Sequence, residues 1–138
     1  MPAQIRLSDH LQKIPPRVRP TVRAAIKTVK EIAPRADQIT YNSQAPRSSS
    51  AMWKLVRYGV DGKNVLGIGT FASHSTIFFY RGRELDDGSG LLEGSGKDSR
   101  FVTLRSPADA EQPAVKRLVR NAFQLETTGT LAGTRARS

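Results

Sequence analysis

The apolar residues of this chain change their spacing twice, and only a fold that accommodates both changes can bury them. From Val18 they recur at three- and four-residue steps through Val22, Ala25, Ile26, Val29 and Ile32, which lines one face of an amphipathic helix over about 17–33. Pro20 is tolerated only in the first turn of that helix, where its missing N–H is not needed, and Pro34 closes the other end. Arg19, Arg23, Lys27 and Lys30 fall on the outward face.

From Gln38 the spacing shortens. Segments near 38–44, 51–59, 63–72, 76–81 and 100–105 are rich in Val, Ile, Thr and aromatic residues and are separated by turn formers. Asp61-Gly62 reads as a hairpin turn, because both residues tolerate positive φ, and Ala72–Ser75 reads as a second tight connection. Neighbouring strands joined this closely form an antiparallel meander. The helical period then returns. Ser106-Pro107-Ala108-Asp109 predicts one capped turn, which Pro113 interrupts. A helix over about 113–125 follows, turning Val115, Leu118, Val119, Ala122 and Phe123 inward and Lys116, Arg117 and Arg120 outward. Residues 127–138 lack periodicity and read as a flexible basic tail, which leaves 1–126 as one domain. Helix, five strands, helix predicts an α+β sandwich: an antiparallel sheet with the N- and C-terminal helices on one face.

A chain of 138 residues has room for one core. No apolar run approaches the ~18 residues of a membrane span, and the start Met-Pro-Ala-Gln-Ile-Arg has no apolar signal core, so the expected location is cytoplasmic. The absence of cysteine excludes disulfides, thiolate zinc sites and cysteine nucleophiles. The net charge of +10 is uneven: residues 1–35 carry eight Lys/Arg against two acids, 36–110 nine against eight, and 111–138 five against two. Non-specific binding to polyanions is expected from that excess, and one alternative function is a nucleic-acid accessory protein that binds phosphates through Arg19, Arg23, Lys27, Lys30, Lys116 and Arg120 on the outward helical faces. No recognition-helix motif and no aromatic stacking platform is visible in the sequence to give that binding specificity.

Leu91-Leu92-Glu93-Gly94-Ser95-Gly96-Lys97-Asp98-Ser99-Arg100 invites comparison with a phosphate-binding P-loop. It fails, because the first glycine position is Leu91, Asp98 replaces the hydroxyl residue and a strand follows rather than a helix. What remains is a glycine-rich loop leading to Lys97 and Arg100, two cations suited to a small anion. His74 lies between Ser73 and Ser75, but adjacent strand residues point to opposite faces, so no nucleophile and base are paired. His10 falls in the lead-in to the first helix. Glu84, Asp86, Asp87 and Glu93 form an acidic stretch that could hold a hard cation or ferrous iron, the alternative function being an iron-binding, chaperone-like protein, although Arg81, Arg83, Lys97 and Arg100 flank them. No complete catalytic set and no cofactor motif is present.

Over roughly Pro15 to Leu125 the chain resembles the bacterial YdhG-like proteins, a group of domains of unknown function that includes a frataxin-like iron chaperone. The carriers are Ala33-Pro34 closing the first helix, Ile39-Thr40-Tyr41 with Pro46, and His74 before Ile77-Phe78-Phe79-Tyr80. The run from Leu91 to Val102, Leu104 and the closing helix complete them. The resemblance implies a frataxin-like sandwich and gathers Tyr41, His74, Lys97 and Arg100 into one patch, offered to a small anionic ligand without catalysis. An iron role in that group would depend on exposed acidic surface, whereas the first helix here is basic.

Overall fold

The computed structural model describes residues 6–135 except 49, 86, 87 and 89, with side chains as far as Glu126. The elements in chain order are α1 (Leu7–Lys13), α2 (Arg19–Ile32), β1 (Asp37–Thr40), β2 (Trp53–Val60), β3 (Lys63–Thr70), β4 (Ser75–Phe79), a 3₁₀ turn (Gly82–Glu84), β5 (Arg100–Leu104), α3 (Pro107–Glu111) and α4 (Pro113–Arg135). The five strands lie in sequence order and every pairing is antiparallel, so the expected meander and α+β class are what form. Asp61 and Gly62, both at positive φ, turn β2 into β3.

One face of the sheet carries the core. Leu66 and Ile68 of β3, Ile77 and Phe79 of β4, and Val102 and Leu104 of β5 pack with Val22, Ala25 and Val29 of α2 and Val115, Leu118 and Val119 of α4. Nearly all of these are fully buried, and each such aliphatic or aromatic side chain contributes roughly 1.5–3 kcal/mol. Ser106 caps α3 by accepting from the Asp109 backbone N–H, and the Thr28 hydroxyl donates to the Ala110 carbonyl, which fixes α3 against α2.

Two boundaries differ from the sequence reading. The lead-in is itself helical: α1 turns His10 inward, where its Nε2 donates to the Tyr41 carbonyl at 2.8 Å and its ring meets the Trp53 ring edge-on at 5.5 Å. A seven-residue helix shows too few turns for its period to be read, and its only buried residue is polar. At the other end α4 runs to Arg135 rather than stopping near Leu125. Residues 136–138 of the expected tail lie outside the described residues.

No described helix is long and apolar enough to cross a membrane.

Candidate functional site

The helices cover only one side of the sheet, and the chemistry gathers on the other. Strand alternation places Thr76 and Phe78 of β4, opposite Gly69 and Gly67 of β3, on that open face, with Phe101 and Thr103 of β5 beside them. A β-bulge at Leu55 then decides the charge. Lys54 pairs with Gly69 and Arg57 with Gly67, so two residues three apart in β2 share a face that simple alternation would deny them. Both reach the Tyr41 ring: Lys54 Nζ lies 5.9 Å and the Arg57 guanidinium 5.3 Å from its centroid. Lys54 Nζ also lies 5.5 Å from the centre of Phe78.

Tyr41 and Tyr80 join hydroxyls from opposite sides of β2 and β3, spanning three strand spacings of about 4.8 Å each. Burial, and then the bond to Tyr41, hold the Tyr80 phenol well above the ordinary tyrosine range. Beneath it Gly67 is required by close approach. A Cβ there would come within 2.3 Å of the Phe78 ring, which sits over the bare β3 backbone.

Alongside lies a cavity of about 310 Å³ lined by Met52, Lys54, Phe71, Thr76, Phe78, Tyr80, Ser99, Arg100 and Phe101. Its described lining holds two cations and no carboxylate. Arg100 is fixed at the rim by the glycine-rich loop, since its Nη1 donates to the Gly96 carbonyl at 2.6 Å and the Ser99 carbonyl at 2.7 Å. Its Nε and Nη2 have no hydrogen-bond partner among the described residues. Thr76 is 2% exposed, and its Oγ1 is buried without a partner among the described residues. A lone buried hydroxyl of that kind costs about 1–3 kcal/mol.

Of the residues singled out in the sequence, Arg100 lines this cavity and Tyr41 flanks it through Tyr80. His74 is outside the lining. It closes the β3–β4 turn, with the Phe71 N–H donating to its carbonyl at 2.7 Å, and its ring stacks on Phe71 at 4.5 Å. Ser75 is occupied elsewhere, exchanging a hydrogen bond with Thr70. Lys97 is exposed on the loop and lines no part of the cavity. His74 precedes Ser75, which pairs with Leu104, while Arg100 pairs with Phe79 at the other end of β4, so the patch is drawn out along the strand.

Of the acidic stretch, Glu84 and Glu93 are described and each has its own partner. Arg81 takes both oxygens of Glu84, at 2.6 and 2.7 Å, and this pairing holds the Glu84 carboxyl below its usual range. Glu93 accepts from the Thr103 hydroxyl at 2.9 Å. Asp86 and Asp87 lie outside the described residues, and among the described residues no three His, Asp or Glu side chains gather as a metal site. On the helical layer Arg23, Lys27, Lys30, Arg117 and Arg120 are exposed, Lys116 is half-buried, and Arg19 turns back to donate to the Gln12 and Ile14 carbonyls.

Sequence reasoning missed Lys54, Arg57, Thr76, Phe78, Tyr80 and Phe101 as one site. For Thr76, Phe78 and Tyr80 a signal existed, since residues two apart in a strand share a face. Four aromatic residues, Phe71, Phe78, Tyr80 and Phe101, thus line one cavity of the sheet. Comparison with protein-family models, curated proteins and solved structures finds no match to this chain.

Proposed function

We propose that the chain is a non-enzymatic binding protein, cytoplasmic and of the YdhG-like kind, that takes a small anionic ligand on the open face of its sheet. The observation that carries this reading is charge without compensation: Lys54 and Arg100 line one cavity whose described walls contain no carboxylate. Held in a partly apolar enclosure, such cations attract an anion more strongly than they would in bulk water. Arg100 is pre-positioned by two backbone carbonyls, which lowers the ordering cost of capture. Of the four residues in the original patch, Arg100 acts directly, Tyr41 supports it through Tyr80, and His74 and Lys97 stand outside.

Calorimetric titration with a panel of carboxylates and phosphates tests this. Saturable binding is expected, weakened at least tenfold in Lys54→Ala/Arg100→Ala and unchanged in Lys97→Ala. Absence of saturable binding across the panel, or equal affinity in the double variant, would refute it.

A second reading rests on the exposed Arg23, Lys27, Lys30, Arg117 and Arg120 of the helical layer, which suit non-specific polyanion binding. It concerns the opposite side of the molecule and does not compete with the first.

A further inference from the structure

The walls of the same cavity narrow the ligand class, an inference that rests on the anion reading above. Four of the nine lining residues are aromatic, namely Phe71, Phe78, Tyr80 and Phe101, and Met52 is a fifth soft, polarisable surface. No Val, Leu or Ile is among them, although such residues dominate the core face of the same strands. Phe78 and Tyr80 stand at 70° with centres 5.7 Å apart, so a flat ring stacked on one meets the edge of the other. Sulfur beside an aromatic ring adds to the same preference. An aliphatic body would fill the volume equally well but would make none of these ring contacts.

The rim specifies the charged group. With Nη1 of Arg100 committed to Gly96 and Ser99, the guanidinium is left, among the described residues, with Nε and Nη2, whose N–H bonds run parallel along one edge. That edge matches the two oxygens of a carboxylate, while Lys54 adds a point charge from the other side of the cavity. We infer that the ligand is a planar aromatic carboxylate, its ring among Phe78, Tyr80 and Phe101 and its carboxylate on the free edge of Arg100.

The test is a matched set of probes titrated calorimetrically into the full chain: benzoate, cyclohexanecarboxylate, benzamide and phenylphosphonate. Benzoate and cyclohexanecarboxylate share a charge and nearly a size, so area burial alone does not favour the aromatic ring. Benzoate is expected to bind roughly threefold to tenfold tighter than cyclohexanecarboxylate, the margin that ring contacts contribute. Benzamide, which lacks the charge, should bind at least tenfold more weakly than benzoate. Phe101→Leu should bring the ring preference close to unity, and Arg100→Lys, which keeps the charge but loses the fork, should weaken benzoate about tenfold. Unchanged thermal unfolding of each variant establishes that the fold survives.

Equal affinity for benzoate and cyclohexanecarboxylate would overturn the aromatic assignment and leave the anion reading standing. Phenylphosphonate binding tighter than benzoate would overturn the carboxylate assignment. Failure of all the charged probes, together with the wider panel above, would overturn both.

Discussion

Thr76 shows how much a single atom can disclose. A strand position that sequence patterning would assign to either face is 2% exposed, and its hydroxyl has no partner among the described residues. Replacing it by the nearly isosteric valine removes the lone polar atom, so Thr76→Val is expected to raise stability by about 1 kcal/mol. A higher urea midpoint at constant slope would register this, and a lower one would mean that the hydroxyl is satisfied in solution. His74 makes a second prediction at this scale. Burial, and then Arg105, hold its imidazole below its ordinary value, with Glu93 opposing. As pH falls through about 6.5 the unfolded chain takes up the proton before the folded one, so this contribution to stability is complete above that pH and is lost below it. Between about pH 7.5 and 5.5 the wild-type chain should therefore lose more stability than His74→Gln in parallel urea titrations, and equal losses would contradict the sign.

At the scale of elements, two devices place the chemistry. The bulge at Leu55 returns Arg57 to the face of Lys54, and the glycine-rich loop holds Arg100 through its carbonyls. The loop that resembles a phosphate cradle in sequence thus works with its C=O groups rather than its N–H groups, gripping a cation of its own chain. A third device joins layers: Arg81, just after β4, reaches Glu84 at 2.6 Å and Glu126 of α4 at 3.0 Å. Glu126 is buried, but the Arg81 side chain is 41% exposed and its attraction is screened by water. Arg81→Gln is accordingly expected to cost about 1 kcal/mol rather than the several kcal/mol of a fully buried pair. Thermal unfolding of the variant measures it, and no change would show that the link does not stabilise α4.

Across the whole molecule, the two sides of the sheet are chemically distinct. The helical layer exposes Arg23, Lys27, Lys30, Arg117 and Arg120, while the open face sets Lys54 against the Phe78 ring and Arg57 against the Tyr41 ring, and Arg100 lines the cavity beside them. If polyanions use the first side and a small ligand the second, the two can be separated by mutation. In Lys27→Glu/Lys30→Glu the affinity for a duplex oligonucleotide should fall, and the slope of log affinity against log salt should shrink by about 2. Benzoate binding in the same variant should be unchanged. A salt slope equal to that of the wild type would remove α2 from the polyanion surface.

The two helical stretches, the five strands, their meander order and the inward residues of both main helices follow from spacing, because burial of apolar side chains acts locally through the period of each element. Val22, Val29, Leu118 and Val119 could be placed facing the core for that reason. The location of the chemistry could not. His10 enters the core through a hydrogen bond to Tyr41, thirty-one residues away, and no local pattern encodes such a partner. Lys54 and Arg57 differ by an odd number of residues and meet only because β2 bulges against β3. The charge of this chain and its layers were thus legible from the sequence alone. Which cations face one another across aromatic rings was decided by strand register, a property of pairs of segments that neither segment carries by itself.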